Sequence, residues 1–84
     1  MIYDVSKIEK GFGAILKKYR RKADLTQYDL ADMAEISRQP IAIAETKPHL
    51  PTMYVALCIC NALNIKLETV LSEAEKIGGS NDLS

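Results

Sequence analysis

The chain has little of what many folded classes need. Of its 84 residues, two are cysteine and one is histidine. Cys58 and Cys60 stand two apart in a helical pattern, so their side chains point about 200° apart and cannot bridge each other. With His49 the only histidine, neither a disulfide framework nor a zinc site is available. Four glycines and three prolines argue against a disordered or all-β chain. No apolar run approaches the roughly 18 residues needed to span a membrane, and no signal-peptide pattern opens the chain. A cytoplasmic protein without a membrane partner is therefore expected. There is no glycine-rich phosphate loop and no nucleophile–base pair, so no enzyme, catalytic residue, cofactor or metal is expected. Net charge is lacking too: eleven Lys and Arg balance eleven Asp and Glu.

What is present suits one small domain. Apolar residues make up 48% and charged residues 26%, an ordinary balance for a single core. The charge is unevenly placed. The first fifty residues carry nine Lys/Arg against seven Asp/Glu, and the remainder two against four. Lys17, Lys18, Arg20, Arg21 and Lys22 fill five of six consecutive positions. Such a run suits a solvated helix C-terminus, where cations favour the dipole, and it also suits a phosphate backbone.

The most informative stretch is residues 25–45. Thr26 with Asp29 makes a capping box, after which Leu30, Ala31 and Ala34 form a narrow apolar face. Ile36 ends that pattern, and Ser37 is placed to cap a second one in which Ile41 and Ala44 face the same way. Small residues at 31, 34 and 44 allow two helices to cross steeply, which is a helix-turn-helix pattern. Asp29, Asp32 and Glu35 read as the solvated face of the first of these helices.

Around it, periodicity predicts a helix from about residue 12 to 21 or 22, with Phe12, Leu16 and Tyr19 as its stripe. Helices at about 27–34 and 38–45 follow. Pro40 falls in the first turn of the latter, where its missing N–H does no harm. Thr52 caps a helix to about 63 and Asn64 stops it; a fifth helix covers roughly 67–76. Ala56, Ile59, Cys60 and Leu63 form the inward face of the fourth helix, leaving Tyr54, Leu57 and Cys58 as a spare apolar stripe. Residues 1–10 read as an extension, 11–76 as the domain and 77–84 as a disordered tail.

Taken together, Phe12-Gly13, Leu16, Arg20, Leu25-Thr26-Gln27, Leu30-Ala31, Ile36-Ser37, Ile41, Glu45, Pro51-Thr52, Ala62-Leu63-Asn64-Ile65, Leu67 and Leu71 resemble the phage repressor and Cro-type helix-turn-helix family. This resemblance implies an all-α, five-helix lambda-repressor-like DNA-binding domain with the helix-turn-helix at helices two and three. Helix three would enter the major groove while helix two crosses the backbone. Arg20 and Glu45 would form an ion pair between helix one and the end of helix three. Gln27 would reach a phosphate, Arg38 and Gln39 would read bases, and Ala42 and Ile43 would pack on thymine methyls. Lys47 and His49 lie where the loop passes the far strand's phosphates, and Lys17 belongs to the basic run. The chain departs from the usual family pattern at Pro40, Ile43, Ala44 and Lys47, where Ser/Thr, a polar or basic residue, a large aliphatic and Gly are common.

The expected function is a sequence-specific transcriptional regulator, a repressor or controller, acting as a homodimer on a two-fold site in double-stranded DNA. The alternative is an antitoxin-like or accessory module that binds a toxin-like or other protein partner. Zero net charge and the apolar run at 41–44 favour that alternative.

Overall fold

Among the described residues five helices follow one another, and three of them are both started and stopped by local devices. The computed structural model describes residues 2–80 and places α1 at Val5–Lys22, α2 at Gln27–Ala34, α3 at Arg38–Thr46, α4 at Met53–Ala62 and α5 at Leu67–Gly78. Among the described residues there is no strand. Nor is any single helix there long and apolar enough to cross a membrane.

Three of the helix ends are built alike. After α1, the Asp24 N–H bonds the Arg21 carbonyl and the Leu25 N–H bonds the Arg20 carbonyl. After α2, Glu35 and Ile36 make the corresponding bonds to Asp32 and Ala31; after α4, Asn64 and Ile65 make them to Asn61 and Cys60. These are Schellman motifs, in which one left-handed residue satisfies the last carbonyls of a helix. Asp24, Glu35 and Asn64 are the left-handed residues, with φ of 60°, 58° and 55°. The residue after each, Leu25, Ile36 or Ile65, turns inward and packs on the core. Each stop signal therefore also pins its connection to the centre.

The centre takes one side chain from every helix. Leu16, Leu30, Ile41, Ile59 and Val70 are the largest fully buried side chains, in chain order from α1 to α5. Cys60 is buried beside them, and burial pushes its thiol pKa up. Cys58 is a free thiol at the half-buried edge of α4.

Helix α1 begins well before the predicted residue 12. The Asp4 side chain caps it by accepting from the Lys7 N–H, and the Asp4 N–H itself donates to Glu75 on α5 at 2.6 Å. Gly11 and Gly13, which read locally as a helix boundary, lie inside α1 for a tertiary reason. A Cβ on Gly11 would collide with the Ala74 carbonyl of α5, and one on Gly13 with the Ala44 carbonyl of α3. Gly78 likewise lies against the Lys7 carbonyl, so α5 runs two residues past its predicted end at 76. Two glycines thus bring α1 and α5 to backbone contact. Tyr19 O–H and Lys18 Nζ, both on Glu73 at 2.5 and 3.2 Å, close the far end of that seam. The predicted tail at 77–84 is partly helix, through Gly78; residues 81–84 lie outside the described part.

Thr52 caps α4 as predicted, accepting from the Val55 N–H. Ser37 differs. It occupies the N-cap position of α3 but makes no side-chain capping bond. The start of α3 is held by other means.

Candidate nucleic-acid interface

The local sequence sets two helix beginnings side by side. At α2 the capping box is complete: the Asp29 N–H bonds the Thr26 hydroxyl and the Thr26 N–H bonds the Asp29 carboxylate, both at 3.0 Å. The Thr26 backbone bond, ahead of the hydroxyl's, holds the Asp29 carboxyl below its usual pKa. The box fixes the direction in which Gln27 and Tyr28, the first two residues of α2, project. The turn at residues 35–37 then returns the chain so that Arg38 and Gln39 open α3.

A chain of polar contacts joins the two beginnings to the body of the protein. Arg20 on α1 meets Glu45 on α3 in a bidentate pair, Nε at 2.7 Å and Nη2 at 3.0 Å, and its Nη1 donates to the Leu25 carbonyl at 2.6 Å. The side chains are 10% and 1% exposed. Glu45 accepts a third bond from Gln27 Nε2 at 3.1 Å. Gln27 Oε1 in turn accepts from Arg38 Nη1 at 3.2 Å. The Arg38 guanidinium also lies over the Tyr28 ring, 4.7 Å from its centroid. The expected Arg20–Glu45 pair is therefore the first link of a longer chain that ends at the start of α3. Its charged hydrogen bonds are of the strong, shape-specific kind. The pair raises the pKa of Arg20, chiefly through the Glu45 bond, so this cation stays charged.

The residues expected to touch DNA fall into distinct settings. Gln27 is half-buried, and its amide bridges Glu45 and Arg38. Arg38 lies back on α2, half-buried, while Gln39 is exposed. Ala42 and Ile43 are half-buried on α3, and the Ala42 carbonyl accepts the Thr46 hydroxyl at 2.7 Å. Ile43 lines an apolar cleft with Pro40, His49, Leu50, Pro51 and Val55, a volume of about 380 Å³. Lys47 is exposed and extended just past the end of α3, with His49 exposed beyond it. Lys17 is half-buried one turn beyond Gly13, on the side of α1 that abuts Ala44 and Glu45.

The basic run divides on folding. Arg20 turns inward to Glu45, and Lys18 pairs with Glu73. Arg21 and Lys22 remain exposed at the end of α1, flanking the Arg20 site. Sequence reasoning passed over Tyr28 and Thr46. Tyr28 is 67% exposed and stands directly after Gln27. An aromatic side chain with no core position to fill, beside a predicted phosphate-contact residue, was the available signal.

A family model described as helix-turn-helix matches residues 16–70. The chain is also 31% identical over 55 residues to an uncharacterized HTH-type transcriptional regulator, YgzD, of Bacillus subtilis (strain 168). That alignment covers 66% of this chain and 83% of the relative. The matched span takes in the Arg20–Glu45–Gln27–Arg38 chain, both helix beginnings, and most of the five core side chains' helices.

Proposed function

The chain belongs to the helix-turn-helix family, and we propose that it is a transcriptional regulator that reads double-stranded DNA with the opening turn of α3. The observation that carries the reading is the polar chain from buried Arg20 through Glu45 and Gln27 to Arg38. A base-reading side chain discriminates best when its position is fixed before contact, and this chain fixes one. Gln39, the next residue, offers an exposed amide able to pair with an adenine edge. Lys47 past the end of α3, Arg21 and Lys22 at the end of α1, and Lys17 within α1 supply cations for phosphate contacts despite zero net charge. Ala42 and Ile43 then offer apolar contact to thymine methyls. The cytoplasmic location expected from the sequence goes with such a role.

The regulator acts as a homodimer, a repressor or controller on a two-fold site with half-sites about one helical turn, ~34 Å, apart. Support comes from the groove between α4 and α5, lined by Tyr54, Leu57, Cys58, Ile65 and Leu67 with Lys66 and Glu68 beside them. Tyr54 is 70% and Leu57 51% exposed, and a second copy seated in the groove would cover both. Selection of the purified protein against random-sequence duplexes tests the reading. An inverted repeat is the expected product; recovery of unselected sequence rejects it.

A second reading is favoured by the cleft beside α3. Pro40, Ile43, Leu50, Pro51 and Val55 make an apolar recess next to the recognition helix, which suits a protein partner of the toxin-like kind. Stoichiometric co-purification of such a partner, with loss of binding in Ile43→Asp, distinguishes it.

A further inference from the structure

The Arg38–Tyr28 contact does something that neither the helix-turn-helix match nor the polar chain requires. Arg38 carries five N–H donors in a planar fork. One goes to Gln27. Among the described residues no acceptor meets Nε or Nη2, and the half-buried side chain carries its guanidinium over the Tyr28 ring, 4.7 Å from the centroid. Stacking holds a guanidinium by its face and leaves its edge available, and the edge is what recognises a guanine. The Tyr28 ring buries nothing of the core, and among the described residues its hydroxyl has no hydrogen-bond partner. Its ring lies under the Arg38 guanidinium.

We propose that Tyr28 is a specificity-determining positioning residue: its ring is a shelf that, with the Gln27 amide, holds the Arg38 guanidinium edge-on for a base in the major groove. This rests on the DNA-reading function above. An unrestrained arginine must give up rotamer freedom when it docks, and the shelf removes that loss beforehand. The effect is confined to the sequence that Arg38 reads. Phosphate contacts, and hence binding to unrelated duplex, do not pass through Tyr28.

The test uses the duplex selected by the wild-type chain and a random-sequence duplex of equal length. Tyr28→Leu is expected to weaken binding to the selected duplex about 3- to 30-fold, the range a face-stacked cation supports, and to leave the random duplex unchanged. Tyr28→Phe keeps the ring and is expected to bind as wild type. In an Arg38→Ala background, Tyr28→Leu is expected to have no further effect. A readout without DNA accompanies these: the Arg38 side-chain proton resonances of the free protein should carry a ring-current shift that Tyr28→Leu abolishes and Tyr28→Phe retains. Equal losses for Tyr28→Phe and Tyr28→Leu would make the hydroxyl the contact and overturn the shelf. Equal weakening on both duplexes, or wild-type selectivity in Tyr28→Leu, would overturn it too. If the wild type selects no sequence while the ring-current shift is present, the DNA reading fails and the shelf role in recognition falls with it.

Discussion

Replacing Glu45 with alanine tests the link on which the start of α3 depends. The Glu45 carboxylate accepts three bonds, two from Arg20 and one from Gln27, at 2.7, 3.0 and 3.1 Å. With side chains 1% and 10% exposed, neither partner of the ion pair can turn to water without opening the core. Removing one member of a buried pair costs roughly 3–5 kcal/mol, because the other is left charged and unpaired. Arg20 keeps its bond to the Leu25 carbonyl, which favours the lower end, about 3 kcal/mol. A chain of this length holds a total of roughly 4–13 kcal/mol, so the loss is a large share of it. In urea, with a slope of about 1 kcal/mol per molar, the midpoint followed by circular dichroism should fall by about 3 M. Glu45→Gln keeps the shape and one acceptor and should fall between. Arg20→Met combined with Glu45→Leu removes both charges and should recover most of the lost stability. A loss below about 1 kcal/mol for Glu45→Ala, the size typical of a surface pair, would refute the buried linkage.

Further outcomes follow from the same contacts. Gly78→Ala forces α5 away from the Lys7 carbonyl, so it should lower stability by about 1–3 kcal/mol, read as a urea midpoint; no change would mean the seam is loose. Glu35→Gly relieves a left-handed glutamate and should raise the midpoint by up to about 1 kcal/mol, whereas a loss would assign Glu35 a contact of its own. Glu73 has its pKa lowered, first by the Tyr19 hydroxyl and then by the Lys18 bond and the charges of Lys18 and Lys76. A carboxyl depressed in the folded state stabilises above its unfolded value of about 4.3 and loses that contribution as pH falls through the folded value. Wild type should therefore lose more stability between neutral pH and pH 3 than Glu73→Gln; identical acid profiles would contradict the assignment. On DNA, Gln39→Ala should relax preference at one base pair, by a factor of about 5 to 150, while Lys47→Ala should weaken all duplexes alike.

What the sequence made legible was mainly local. The Thr26–Asp29 box, the Thr52 cap and the Asn64 stop are signals spanning at most a few residues, and the structure forms all three. The apolar stripes gave the core side chains of α1 to α4 for the same reason. Gly11 and Gly13 misled because their purpose is not local: each admits a backbone carbonyl from a helix far along the chain. Read by themselves they look like punctuation, which makes the first turns of α1 read as an extension. Ser37 shows the opposite case, a good capping residue whose hydroxyl makes no capping bond. At the candidate interface the sequence supplied Gln27, Arg38 and Gln39 by resemblance. The bond from Arg38 back to Gln27 spans the turn, and the Tyr28 shelf follows from that fold-back. Neither leaves a trace in periodicity.

The most direct measurement is a fluorescence anisotropy titration of the selected duplex at a series of salt concentrations. The account predicts binding that weakens linearly in log–log form, by about 0.9 per phosphate neutralised, with a shallower slope in Lys47→Ala and a shifted intercept at unchanged slope in Gln39→Ala. Absence of duplex binding at ~50 mM salt, where phosphate contacts are strong, would contradict it.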